Sequence, residues 1–192
     1  MFLAGLAGAG AGALPIAAAA APRGPRPGPV VLTVGGAVVR SNRAPLDPAL
    51  DQMMVKHGVR FTKAFAFDAA ALQRLPATTL RPTLEYDSRV HALSGPLISV
   101  VLDAVGVDAA GAVQLGLRAV DGYNAIVKLD DARRWRMIVA THIDGRPLPL
   151  GGLGPQWAVY EADTVAPFKD QPLKERFAHC PWGLYHIDVA PA

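Results

Sequence analysis

The chain has 192 residues, 51% hydrophobic and 18% charged, a balance that supplies a sizeable core and excludes intrinsic disorder. Its 19 basic and 16 acidic side chains leave a formal charge of +3, and without a clustered basic run this excludes nucleic acid as a partner. The single cysteine, Cys180, permits neither an internal disulfide nor an all-cysteine zinc site.

Residues 1–22 carry no charged side chain, and Phe2, Leu3, Leu6, Leu14 and Ile16 sit among alanines and glycines. The stretch reads as an export signal over residues 1–20, cut after Ala19 or Ala20, because small residues precede those bonds and cutting after Ala21 would place Pro22 next to the scissile bond. The competing readings are a membrane anchor and a low-complexity tail, and alanine and glycine give little hydrophobicity for a span. The expected product is periplasmic or secreted, with no stable membrane insertion after cleavage. A Pro/Gly-rich linker follows over residues 21–29, and a single domain over residues 30–192.

Within that domain, residues 30–39 are β-rich, with Gly35 and Gly36 marking a bulge or a close backbone approach. A short helix is expected over 48–57, where Leu50, Met53 and Met54 share a face. A strand over 61–67 follows, and Asp68 is placed to cap a helix over 69–75. Residues 78–86 and 89–94 read as paired strands around Asp87-Ser88. Gly95-Pro96-Leu97 opens a helix whose apolar face is Leu97, Val100, Val101, Ala104 and Val105, stopped by Gly106. Residues 112–119 and 123–129 alternate about a two-residue Asp121-Gly122 turn, and a short turn or helix follows at Asp130-Asp131. A strand over 137–143 ends at Asp144-Gly145, and strands over 156–160 and 183–189 complete the set. Strand runs broken by short helices, without βαβ alternation, predict an α+β fold with mixed, mostly antiparallel sheets.

The order of several short motifs carries a resemblance: Phe67-Asp68 before a helix, Leu75-Pro76 before a Thr-rich strand, Gly95-Pro96-Leu97, Ala119 to Tyr123 with Val127-Lys128-Leu129, Ala140 to Pro149, and Leu153-Gly154-Pro155. Together with Trp182 to Val189, this order resembles the oxidoreductase molybdopterin-binding domain of the sulfite oxidase fold, over residues 65–189. The resemblance implies irregular loops around two sheets that hold a molybdopterin cofactor, with a cysteine thiolate on the molybdenum. That cysteine belongs in or just after the strand reading Thr78 to Tyr86, where Thr83 stands instead, and a neutral hydroxyl is a poor ligand for this metal. Cys180 falls late in the motif order; it could replace that thiolate only if the fold returned it to the pocket, and otherwise reads as a partly buried or surface thiol.

Tyr123 and Asn124 match a loop near the pterin, although a plain hairpin turn explains Asp121 and Gly122 equally well. Arg146 and Lys169 are candidates for a cofactor phosphate or an anionic substrate, against the ordinary reading of solvated basic residues. Thr83, Tyr123, Asn124, Arg146 and Lys169 are thus the expected cofactor-binding residues. No catalytic residue is assigned and no metal ligand is expected, since the five histidines form no HxxxH or HxH pair. His142 and Asp144 suggest an imidazole beside a carboxylate at a strand end, with ordinary hydrogen bonding as the alternative. The sequence leaves two functions open: an exported molybdopterin-dependent oxidoreductase-like domain whose redox partner is unknown, or a cofactor-free module that binds a small molecule or a partner segment.

Overall fold

The computed structural model describes residues 28–108 and 113–191. The expected signal peptide and most of the linker lie outside these residues; at the linker's end, the Gly28 N–H donates to Asp68 Oδ2 at 2.9 Å.

The architecture is α+β, and the described residues form three sheets, mostly antiparallel, and few short helices. The largest sheet contains β1 (Val30–Gly36), β2 (Ala64–Asp68), β5 (Val113–Ala119), β6 (Asn124–Lys128) and β11 (Leu184–Pro191), in the order β2-β1-β11-β5-β6. Only β1 and β11 run parallel within it, with Thr33 opposite His186. A second sheet orders β3 (Ala77–Leu80), β4 (Leu93–Pro96), β8 (His142–Ile143) and β9 (Arg146–Pro147), and β7 (Ile138–Ala140) pairs with β10 (Trp157–Val159) in the third.

Among the described residues the α-helices are α1 (Gln52–Lys56), α2 (Ala69–Gln73), α3 (Ile98–Val105) and α4 (Leu129–Arg134). Asp68 caps α2 as expected, its Oδ1 accepting the Ala71 N–H at 2.6 Å. The buried face of α3 is Ile98, Val101, Leu102 and Val105 rather than the face that starts at Leu97. Leu97 is still extended and bridges to Ile138, so the helix begins one residue later and its face rotates. Against α3 and α4 lie Leu32, Val34, Leu115, Leu117, Ile187 and Val189, all buried, from one side of the large sheet. Each such side chain contributes about 2 kcal/mol by leaving water.

The other side of the sheet is polar at its centre. Thr33, His186 and Arg118 stand opposite one another across β1, β11 and β5, covered by the segment that carries Phe61 and Arg43. Phe61 stacks on the His186 ring at 5.9 Å, and the Arg43 guanidinium donates to Thr33 Oγ1 at 2.8 Å while pairing with Asp51.

Several expected bounds change for physical reasons. The strand expected over 137–143 is two strands, because Thr141 turns its N–H to the Ser94 carbonyl and sends His142–Ile143 to another sheet. The strand expected over 78–86 ends at Leu80, and pairing resumes only as a bridge between Thr83 and Val90. Gly95-Pro96 closes β4 instead of opening a helix. There Gly95 lets two strands meet, since a Cβ would lie 1.9 Å from the Val139 carbonyl oxygen. Gly36 serves a close approach too, with φ 92° and its Cβ position 2.2 Å from the Val189 oxygen. The β5–β6 loop is longer than two residues: the Gly122 N–H closes on the Ala119 carbonyl, the Ala119 N–H donates to the Tyr123 carbonyl at 2.9 Å, and the strand ladder resumes with Asn124 opposite Arg118. Asp144-Gly145 is a two-residue hairpin with φ 46° and 76°, the primed geometry that antiparallel strands favour. No helix among the described residues is long and apolar enough to cross a membrane.

Candidate functional site

Three loops converge on a cleft of about 220 Å³. The loop between β3 and β4 brings Glu85 and Tyr86, the β5–β6 loop brings Asp121 and Tyr123, and the segment between β10 and β11 brings Lys174, Cys180 and Trp182. The Tyr123 N–H donates to Asp121 Oδ1 at 2.9 Å, and its hydroxyl donates to the Ala178 carbonyl at 2.6 Å, which fixes the ring across the cleft's wall. Trp157 Nε1–H donates to the Cys180 carbonyl at 2.8 Å from the buried side. The three aromatic side chains at the opening stay exposed: Tyr86 by 56%, Tyr123 by 51% and Trp182 by 38%.

Two carboxylates hold the first loop in place. Glu161 Oε2 accepts the Arg81 N–H at 2.9 Å and Asp163 Oδ2 accepts the Thr83 N–H at 2.7 Å, two alternate residues of one extended stretch. Asp163 also pairs with Arg176 at 2.8 Å, and the Arg176 carbonyl accepts the Tyr160 hydroxyl at 2.7 Å. Thr83 is therefore anchored through its backbone.

Electrostatics in the cleft keep its sulfur neutral. Burial pushes the Cys180 thiol up to about 12, with the Glu85 carboxylate adding to the rise and hydrogen bonding to Tyr160 opposing it. Partial burial likewise pushes the Tyr86 hydroxyl up to about 12, again with Glu85 adding to it. Two carboxylates, Glu85 and Asp121, face one ammonium, Lys174.

The residues expected to gather around a cofactor are dispersed. Tyr123 lines this cleft. Arg146 lines another, with Ile143, Asp144 and Pro147, and is exposed there. Asn124 sits on β6 opposite Arg118, its Oδ1 buried without a hydrogen-bond partner and packed beside Gly116. Lys169 is exposed and pairs with Asp170 at 3.4 Å. Thr83, Asn124 and Lys169 line neither cleft. This donor set does not suit the molybdenum–pterin group that the resemblance implies: Thr83 offers no thiolate, Cys180 holds its proton, and a phosphate-bearing anion would meet more carboxylate than cation. Among the described residues, no group of three or more His, Cys, Asp or Glu is placed to hold a metal ion.

The imidazole–carboxylate pair expected at His142 and Asp144 is made by a different histidine. His142 Nδ1 contacts Thr141 Oγ1 at 2.8 Å, whereas Asp144 Oδ2 meets His91 Nδ1 at 2.6 Å and Asp87 Oδ2 meets His91 Nε2 at 2.9 Å. Asp144 occupies a turn with positive φ, so its carboxylate leaves the strand face that His142 shares. Donating to Asp144, then to Asp87, raises the His91 pKa, and His91 in turn lowers both carboxylates. Nothing in the spacing of residues 87, 91 and 144 announces this clamp.

No family model matches the chain, and no curated protein matches it.

Proposed function

We propose that this chain is a cofactor-free binding module built on a sulfite-oxidase-like fold, and that its cleft takes a small organic cation. The observation that carries the reading is the lining itself: three exposed aromatic side chains, Tyr86, Tyr123 and Trp182, stand around two carboxylates, Glu85 and Asp121. An aromatic face attracts a cation through its quadrupole, and a nearby carboxylate adds Coulomb attraction that a neutral ligand does not feel. Neither feature favours an anionic cofactor.

Tetramethylammonium titrated into the protein, followed by tryptophan fluorescence or calorimetry, tests this directly. Binding should weaken about three- to tenfold in Tyr123→Ala and persist in Tyr123→Phe, because the ring supplies the attraction and the hydroxyl is already committed to Ala178. Equal affinity for tetramethylammonium in the Tyr123→Ala protein and the wild type would remove the basis of the reading.

A molybdopterin-dependent oxidoreductase-like role is the competing proposal, supported by the meeting of Tyr123 with the loop that follows Thr83. Metal and pterin analysis of protein made in a host that supplies the cofactor separates the two. The binding-module reading expects little or no molybdenum in the wild type; stoichiometric molybdenum would replace it. Thr83→Cys, which restores a soft ligand at nearly the same size, is the variant expected to gain metal if the remaining pocket belongs to that family.

A further inference from the structure

Three of the helices end in one and the same hydrogen-bonded turn. After α1 the Gly58 N–H meets the Val55 carbonyl and the Val59 N–H meets Met54; after α3 Gly106 meets Asp103 and Val107 meets Leu102; after α4 Arg136 meets Arg133 and Met137 meets Ala132. This paired 5→2 and 6→1 closure requires a left-handed residue just past the cap, a position that glycine fills without steric cost. Gly58 and Gly106 occupy it at φ 70° and 72°, but Arg136 occupies it at φ 52°. Arg136 thus carries a side chain where this backbone favours none.

Arg136 lines a cleft of about 390 Å³. Leu80, Val165 and Pro167 give it an apolar wall, Trp135 an aromatic one, and Arg134 and Arg136 two cations against the single carboxylate Glu161. Arg134 is paired with Asp131, and Glu161 already accepts the Arg81 N–H. Arg136 makes no ion pair among the described residues, and the Trp135 Nε1–H is shielded from solvent without an acceptor. An unpaired guanidinium beside an apolar and aromatic wall matches one chemistry, an anionic group on an apolar body.

We propose that the cleft between α4 and the 161–167 segment is a second binding site, for a small aryl or alkyl carboxylate, with Arg136 as its charge-recognising residue. The strained backbone at Arg136 is maintained because the guanidinium binds; glycine would end α4 with less strain and leave the cleft without its free cation. This site is separate from the aromatic cleft, and neither proposal depends on the other.

Phenylacetate is the probe, with 2-phenylethanol as the uncharged control, and the readout is the indole ¹H–¹⁵N signal that Trp135→Phe removes. Phenylacetate should shift that signal saturably and 2-phenylethanol should not. Arg136→Gly and Arg136→Gln should each weaken phenylacetate binding about tenfold, the loss expected for a charge-assisted hydrogen bond, while Arg136→Lys keeps most of it. Arg136→Gly should also melt at the same temperature as the wild type or higher, which separates recognition from folding. Phenylacetate that leaves the Trp135 signal unmoved, or that binds Arg136→Gln as tightly as the wild type, overturns the proposal.

Discussion

A thiol is defined by what surrounds it, and Cys180 illustrates this at the scale of one residue. It lines the aromatic cleft yet is only 5% exposed, and burial holds its proton up to about 12. Since the thiolate is the reactive form, moving the pKa from 9.0 to about 12 lowers its population near neutral pH roughly a thousandfold. Iodoacetamide at pH 8 should therefore label the native protein at least a hundredfold more slowly than protein in denaturant, as followed by mass spectrometry, a margin that leaves roughly a factor of ten for local opening. Labelling at the denatured rate would mean that the thiol is open and ionised. Sequence reasoning read Cys180 as a partly buried or surface thiol, whereas the fold buries it almost fully and sets it in the cleft lining with Tyr123. The path of residues 160–183 is set by long-range bonds, such as Asp163 to Thr83, that no local pattern encodes.

Between elements, close approach decides more than propensity does. β4 and β7 meet at Gly95, where a methyl group would sit 1.9 Å from the Val139 oxygen and 2.9 Å from the Ala140 Cα. Both obstacles are backbone, so neither rotates away. Gly95→Ala should destabilise the fold by about 3 kcal/mol or more, whereas Gly152→Ala, whose Cβ would meet Pro149 at an ordinary 3.4 Å, should change it by less than about 0.5 kcal/mol. Urea denaturation of the two variants checks both, and a Gly95→Ala protein as stable as the wild type would show that the strands separate freely. Elements governed by local chemistry were legible in advance: the Asp68 cap, the Gly106 stop, and the Asp144-Gly145 turn. Elements governed by partner choice were not. Residues 137–143 alternate like one strand, and only the bond from Thr141 to Ser94 divides them between two sheets. The cleft was legible in part for the same reason: the Tyr123 loop is local, but Glu85 and Trp182 join it only through tertiary contacts.

For the molecule as a whole, two histidines impose opposite limbs on stability against pH. His91, held between Asp144 and Asp87, has its pKa raised above the ordinary 6.5, so its contribution is complete below that value and is lost as pH rises through the folded-state pKa. The lowered pKa values of Asp87 and Asp144 act at the other end, their contribution being present above 3.8 and lost only as pH falls below it. His186 works in the reverse sense of His91. Burial, aided by Arg118 and Arg43, lowers its pKa to about 4, so the unfolded chain takes up a proton near 6.5 that the folded chain refuses. Stability therefore falls as pH drops from 6.5 towards 4, by about 3 kcal/mol for a shift of this size. Asp188, whose pKa burial raises, opposes this loss, but it is common to the wild type and a His186 variant. Urea denaturation across pH 4.5 to 9 should give a maximum near neutrality, with His186→Gln flattening the acid limb and His91→Gln flattening the alkaline one. Parallel acid limbs for the wild type and His186→Gln would mean that His186 titrates freely in the fold, and that the polar centre of the large sheet is open to water.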